Sequence, residues 1–445
     1  MKNAREQIVD LLVLLEREKG YVQLVLKEEL RGVDSKDKGF VTEIVYGTLK
    51  YRLKLDYVIN QFSKTSVHKM KPFIRQLLRM SVYQLISLDK VPASAVINEA
   101  VKLTKKRGFI NLSGFVNGVL RTIDRQKESL TYPNRQEKPL TYLSVIYSIP
   151  EWIIQEWLKD YSFEEVEAIC EAMNERARVA IRINTLCTTK EEVQKILLKE
   201  GIQTEEGTFL EEALYLKKSE DIQRLPSYQA GKWTVQDESA MLVAHVVNPQ
   251  PGERILDMCS APGGKSLHLA ALMKNQGEII SSDIYPHKVE LIRQNAERMQ
   301  ATIVHPTLQD GTLLEEKFIE SFDRVLLDAP CSGLGILKRK PDIRYNKTKE
   351  DLGAIANIQR QLAQKAACYL KAGGVLVYST CTISKSENEE MAHWIEQSLG
   401  LEKLNIVDTI PKSLRAFIKE GNRLQILPTM ADTDGFFIAA FKKRG

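Results

Sequence analysis

ERILDMCSAPGGKSLHLAALM, residues 253–273, decides how the second half of this chain is read. An apolar run, Ile255 to Met258, stops at a small-residue loop holding Gly263 and Gly264, and an apolar stretch of helical length follows. Strand, turn, helix is the unit of a helix-wound sheet. From about residue 232 it recurs: GEIISSD (277–283), RVLLDAP (324–330) and GVLVYST (374–380) are separated by segments such as HKVELIRQNAERM (287–299). The alternation predicts a parallel sheet with helices on both faces, with ligands outside the carboxyl ends of the strands.

Upstream the rhythm differs. Between residue 4 and about 127, apolar side chains recur at spacings of three and four (Ile8, Leu11, Leu12, Leu15; then Val41, Ile44, Val45, Leu49), predicting five or six short helices, with new ones after Pro72 and Pro92. A proline-punctuated link follows. Ser162 with Glu165 and Thr189 with Glu192 have capping-box spacing, the second helix should stop near Gly201, and VAIRIN (179–184) and ALYLKK (213–218) read as strands. The expected domains are a helical 1–131, a small α+β module at 143–231 and an α/β domain at 232–445.

With 445 residues the chain exceeds one ordinary core, and 43% hydrophobic with 27% charged residues is the balance of a globular protein. No stretch has the length of a membrane span and MKNAREQIVD lacks a signal-peptide core, so a cytoplasmic location is expected; a monomer is expected too. Six cysteines without a CxxC pair argue for reduced thiols. No two histidines have metal-ligand spacing, His245, His268 and His287 read as packing or surface groups, and no metal is expected. A net charge of +5 permits a nucleic-acid partner without requiring one.

At the predicted ligand edge, Gly263 and Gly264 allow close backbone approach, and helix N-terminal amides favour an anionic group. Asp283 lies 19 residues past Gly264 at the end of the next run, where a carboxylate takes ribose hydroxyls; Asp310 follows a third run, TIVH, near an adenine's expected place. Two other readings stand beside nucleoside binding. Gly263 and Gly264 alone make a tight turn, and GGKS resembles the end of a phosphate-binding loop, whose first glycine is here replaced by Cys259.

DAPCSG (328–333) and STCT (379–382) then place Cys331 and Cys381 just beyond two strand ends, among polar residues. Any single free cysteine is more often a core residue, which is the reading for Cys170, Cys187 and Cys368. Two thiols and Asp328 beside a nucleoside cofactor suit another chemistry. Carbon 5 of a pyrimidine becomes nucleophilic once a thiolate adds at carbon 6 and a donor at ring nitrogen 3 stabilises the developing charge; a second group then helps the first cysteine leave.

DMCSAPGGK, SDI, DAPCSG and STCT, in this order, resemble the RNA 5-methylcytosine methyltransferases, over roughly residues 232–445 including VQDESA (235–240) and DGFFIAAF (434–441). LRMSVYQLISLDKVPASAVINEAVKLTK (78–105) resembles the helical NusB-type RNA-binding domain, and the combination resembles the bacterial small-subunit ribosomal RNA (cytosine-5) methyltransferase B family. The resemblance implies an all-α NusB-like domain, a small α+β module and a Rossmann-like methyltransferase domain using S-adenosylmethionine on 16S ribosomal RNA. It implies Cys381 as nucleophile and Cys331 in product release. Cofactor contacts carry over to Cys259, Ser260, Ala261, Pro262, Gly263, Gly264, Lys265, Asp283, Asp310 and Asp328, with Asp328 and Pro330 also facing the cytosine. Ser260 stands where alanine is commoner.

GILKRKPDIRYNKTK (335–349) offers Lys338, Arg339, Lys340, Arg344 and Lys347 around Tyr345, an expected grip on single-stranded RNA, although a charge run is usually a solvated loop. Lys105, Lys106 and Arg107 suit phosphates or a helix C-terminus equally. A rival function is a non-catalytic RNA-binding or antitermination factor using the methyltransferase-like domain as scaffold.

Overall fold

The computed structural model describes residues 3–18, 22–217 and 222–445. The chain divides into two compact units: residues 1–174 with 337–347, and residues 175–336 with 348–445.

The first unit is helical. Its described α-helices up to residue 126 number seven, more than expected, because Tyr51 splits one apolar run into helices Ser35–Lys50 and Arg52–Phe62 and a short helix Val22–Glu29 precedes them. Helices do begin at Pro72 and just after Pro92. Helix Pro72–Ser87 is buried nearly all round, as expected of a helix wrapped by others. Its Arg79 makes a two-pronged ion pair with Asp56 (2.6 and 2.7 Å), the geometry that makes a buried charge tolerable. Lys106 and Arg107 pair with Glu6 and Asp10, so the basic cluster ends a helix.

Helices Pro139–Tyr147, Glu151–Trp157 and Phe163–Ala172 fall in this unit, and so does the basic run at 337–347. Arg344 accounts for the latter. Its guanidinium is buried (1% exposed) and donates to the carbonyls of Lys50, Tyr147 and Ser148 (3.1–3.2 Å), to Met173 O (3.0 Å) and to Asn174 Oδ1 (2.8 Å). These groups close three helices, whose last carbonyls have no partner within the helix and whose dipoles favour a cation. The Tyr345 hydroxyl donates to Ser148 O (3.2 Å), and its ring lies 4.6 Å from the Arg52 guanidinium carbon. Arg344 and Tyr345 are therefore not the free RNA contacts expected of them: unsatisfied helix ends claimed them. Lys338 is buried too, while Arg339 and Lys340 are partly exposed.

The second unit holds two sheets. The small one has order β2-β3-β1-β4, all antiparallel, from β1 (Val179–Ile183), β2 (Thr204–Glu206), β3 (Ala213–Leu216) and β4 (Trp233–Val235). Both expected capping boxes form, the second opening helix Lys190–Lys199, and Gly201 follows it at φ +81°. Lys218, the last residue of the expected second strand, lies outside the described residues.

The large sheet comprises β5 (Arg254–Asp257), β6 (Glu278–Asp283), β7 (Val304–Leu308), β8 (Phe322–Asp328), β9 (Leu370–Thr380), β10 (Leu401–Lys403), β11 (Ile418–Lys419), β12 (Arg423–Ile426) and β13 (Phe436–Lys443). Its order is β11-β12-β13-β9-β8-β5-β6-β7, with β10 also on β13. β5 to β9 are parallel, as expected; β10 to β13 pair antiparallel and make the sheet mixed. β12 and β13 are joined by a loop, not the crossover helix that parallel neighbours need. From β5 the order runs one way to β6 and β7 and the other way to β8 and β9, so a crevice opens at the carboxyl ends of β5 and β8.

Replacing Arg344 by leucine should orphan several buried carbonyls and destabilise the helical unit by about 3 kcal/mol or more. Urea unfolding followed by far-ultraviolet dichroism would show it, and Arg344→Lys, with fewer donors in no fixed fork, should recover little.

Candidate active site

The row of strand ends carries a row of carboxylates. Asp257 closes β5, Asp283 β6 and Asp328 β8, and Asp310 follows β7. Gly263, at φ +99°, turns the chain from the loop after β5 into helix Gly264–Leu272. Ser266 on that helix donates to Asp257 Oδ2 (2.6 Å) and lies 2.6 Å from the Ser281 hydroxyl and 3.0 Å from that of Ser260. Serine in place of alanine at 260 thus extends a hydroxyl network under the loop. Asp257 is fully buried, its Oδ1 has no hydrogen-bond partner, and burial, reinforced by the charge of Asp328 and opposed by the Ser266 bond, pushes its carboxyl up to about 7. Asp283 accepts from Tyr285 N (3.2 Å) and lies 3.6 Å from Lys288 Nζ. Asp310 accepts from the Thr312 hydroxyl (2.6 Å) and amide (2.9 Å), which hold it below the usual carboxylate range. Burial and the surrounding carboxylates push the Cys259 thiol up, so it stays neutral.

Beyond β8 and β9 the cysteines meet. Cys331 Sγ and Cys381 Sγ are 3.3 Å apart and unbridged. Asp328, beside them, accepts from Lys265 Nζ (2.6 Å) through Oδ2 and from the Ser379 hydroxyl (2.7 Å) through Oδ1. Lys265 also stands 5.2 Å from the centre of the Phe436 ring. The hydrogen bond to Cys381, burial, and the charges of Cys381 and Glu387 all hold the proton on Cys331.

Family models match all three parts of the chain: "16S rRNA methyltransferase RsmB/F" over residues 244–442, the NusB family over 2–125, and the RsmF/B-like ferredoxin-like domain over 149–223. A probable ribosomal RNA small subunit methyltransferase B of Bacillus subtilis is 40% identical over 100% of this chain and 99% of that one. Ribosomal RNA small subunit methyltransferase B of Proteus mirabilis is 30% identical over 94% of each chain. The crystal structure of PH0851 superposes with a TM-score of 0.83 at 26% identity, covering 99% of this chain and 98% of that one. The chain belongs to the RsmB/F family of 16S rRNA methyltransferases.

In this member of the family, the residues expected at the cofactor loop and at the two cysteine motifs come together on one edge of the sheet, while the basic run is part of the other compact unit. Several neighbours escaped sequence reading. Ser379 looked like part of a strand end. Glu387 and Asn388, in SENEE, have the composition of a surface segment but are fully buried beside the cysteine loops. Gln359, also fully buried, donates to Pro330 O (3.0 Å) from a helix whose other polar residues mostly face water.

Two histidines meet a carboxylate away from the strand ends. Glu212 Oε1 lies 2.6 Å from His245 Nε2 and 3.1 Å from His268 Nε2, and ligand atoms of all three fall within 4.8 Å of one another. Three separate elements bring them together, so spacing along the chain gave no sign. Burial first, then the charge of Arg182, pushes His268 down to about 3. The same Arg182 interacts with Glu212, supplying the carboxylate with a countercharge and opposing a dication there.

Asp257 makes stability depend on pH. Its folded pKa of about 7 exceeds the ordinary 3.8, so its contribution is intact below the unfolded value and is lost as pH rises towards 7, a loss on the order of 4 kcal/mol. Asp257→Asn keeps an acceptor for Ser266 and removes the titration. Calorimetry of cofactor-free protein should find the variant similar to wild type near pH 4 and more stable at pH 8.

Proposed function

We propose that this chain methylates carbon 5 of a cytosine in 16S ribosomal RNA, with S-adenosylmethionine as donor. The observation that carries the reading is the pairing of Cys331 with Cys381, 3.3 Å apart, beside an aspartate held by lysine and serine. A scaffold has no need of two thiols in contact at a ligand edge.

The loop after β5 suits the cofactor: a left-handed glycine leads into a helix N-terminus, and the unpartnered oxygen of Asp257 is a buried acceptor still to be used. Cys259 to Lys265, Asp283, Asp310 and Asp328 would hold it. S-adenosylmethionine, when bound, supplies an electrophilic methyl group. Cys381 adds as thiolate to carbon 6 of the cytosine; Asp328 and Pro330 would face the ring, and the Lys265 ammonium bonded to Asp328 is the cation on that side able to offset the negative charge displaced towards ring nitrogen 3. Carbon 5 would then take the methyl group, the pair of the broken carbon–sulfur bond staying with the donor's sulfur as S-adenosylhomocysteine leaves.

Restoring the ring then requires loss of the carbon-5 proton. That C–H pair becomes the carbon 5–carbon 6 double bond as the Cys381 sulfur leaves with its own pair. Cys331 suits this step. While Cys381 is free, the hydrogen bond to it and its charge help keep Cys331 protonated and unable to compete as nucleophile. Once Cys381 is bonded to carbon those contributions vanish; Cys331, after releasing its own proton to solvent, can take the carbon-5 proton as a thiolate and ends the step as the thiol.

The helical unit would grip the ribosomal RNA, with Arg339 and Lys340 as remaining candidates from the basic run, and the enzyme would act in the cytoplasm. Among the described residues, no helix is long and apolar enough to cross a membrane.

Cys331→Ala, incubated with total cellular RNA and S-adenosylmethionine, should accumulate a protein–RNA adduct stable on a denaturing gel. Cys331→Ala/Cys381→Ala should form none, and sequencing the trapped RNA should identify a 16S cytosine. Wild-type methyl transfer without any adduct in Cys331→Ala would remove Cys331 from release; no transfer by wild type would return the scaffold reading.

A further inference from the structure

Two consecutive residues tie the loops that carry the cysteines. Glu387 is fully buried; its Oε2 accepts from the Ser332 amide (2.8 Å) and Gln359 Nε2 (3.3 Å), and its Oε1 from the Ser332 hydroxyl (2.5 Å). Ser332 follows Cys331, so this carboxylate grips the Cys331 loop by backbone and side chain. Asn388, also fully buried, holds the other loop. Its Oδ1 accepts from the Thr380 hydroxyl (2.5 Å) and its Nδ2 donates to Thr382 O (3.0 Å), the residues on either side of Cys381. A cross-link joins the halves: the Ser332 and Thr382 hydroxyls are 2.9 Å apart.

The dipeptide is itself anchored. Tyr378 OH donates to Glu387 O (2.6 Å), and Asn388 Nδ2 also donates to Gln425 Oε1 (2.8 Å) on β12. One backbone bond between the cysteine loops, from Gly335 N to Cys381 O (3.1 Å), does not involve it.

A buried carboxylate is costly unless every donor around it is used, and such networks fix one geometry at the expense of others. Nothing in the fold of the sheet requires an ionised group here. We propose that Glu387 and Asn388 are positioning residues that set the distance between the two thiols, and that Glu387 also keeps Cys331 the protonated member of the pair. The charged or titratable groups around Cys331 fit this division: Cys381, Glu387 and Tyr378 interact with it, while the ammonium of Lys265 interacts with Cys381. The proposal rests on the roles given above to Cys381 and Cys331.

Two readouts test it separately from those roles. The first uses no RNA. Diamide removes two electrons and two protons from a pair of touching thiols, leaving a disulfide and the reduced hydrazine. In wild type, peptide mapping after acid quench should show rapid Cys331–Cys381 linkage. Glu387→Ala and Asn388→Ala should slow it at least tenfold; Glu387→Gln, which keeps the shape, should leave linkage near wild type but raise alkylation of Cys331 by iodoacetamide at pH 8 severalfold. The second readout is the ratio of trapped adduct to released methylated RNA, expected to rise at least tenfold in Glu387→Ala while adduct formation continues. Loss of stability alone would lower adduct and product together and leave their ratio unmoved.

Linkage rate and alkylation unchanged in all three variants, with wild-type melting temperatures, would overturn the proposal. If Glu387→Ala does not fold, Glu387→Gln decides alone through Cys331 alkylation, and an unchanged rate there overturns the electrostatic part. If thiol distance responds but Cys331→Ala traps no adduct, the clamp stands and the role of Cys331 in release falls.

Discussion

Asp328 and Ser379 are direct partners in the parallel ladder of β8 and β9, and the arrangement of the site depends on that register. Side chains in a strand alternate faces, so slipping β9 by one residue would turn Ser379 away and carry Cys381 to the wrong side. The hydroxyl of Ser379 bonds the carboxylate of Asp328 across this pair, and the Ala329 amide continues the ladder to Ser379 O (2.9 Å). Each cysteine lies two or three residues beyond a locked position, too few for either loop to wander far.

That same edge gathers charge of one sign. Asp257, Asp283 and Asp328 close adjacent strands, while Lys265 is the ammonium bonded to Asp328. Burial raises the pKa of Asp257, and the like charge of Asp328 adds to that shift. A sulfonium cation is the kind of ligand such an edge favours. The electrostatics of the sheet and the cofactor assignment therefore support each other, and the hydroxyls of Ser260, Ser266 and Ser281 fill the space where a further charge would be intolerable.

What could be read in advance follows from how local each signal is. The parallel strands, the glycine turn, the capping boxes at Ser162 and Thr189 and the carboxylates at strand ends each lie within a dozen residues of their cause, and all were legible. Antiparallel β13 was not, because DGFFIAAF is apolar without alternation and shows burial on both faces but no direction. Arg344 misled for a similar reason: a basic run beside an aromatic carries the same letters whether it meets phosphate or helix carbonyls, and only the position of three distant helix ends distinguishes them. Glu387 was hidden because SENEE has the composition of surface, and its donors come from residues 332 and 359.

Arg344 also constrains how the chain folds. The helices ending at Lys50, Tyr147 and Ala172 are complete in sequence well before it, yet the cation that satisfies their last carbonyls arrives 171 to 294 residues later, in a segment that begins six residues after Cys331. A fragment ending at Asn174 would leave those carbonyls to water. The helical unit therefore reaches its final packing only after β8 and the Cys331 loop have been made. The piece that completes it is covalently continuous with the loop where, on the reading above, the base is released. Gly335, where a Cβ would collide with the Gly435 carbonyl oxygen, is the last residue before that segment whose backbone is tied to the loop of Cys381.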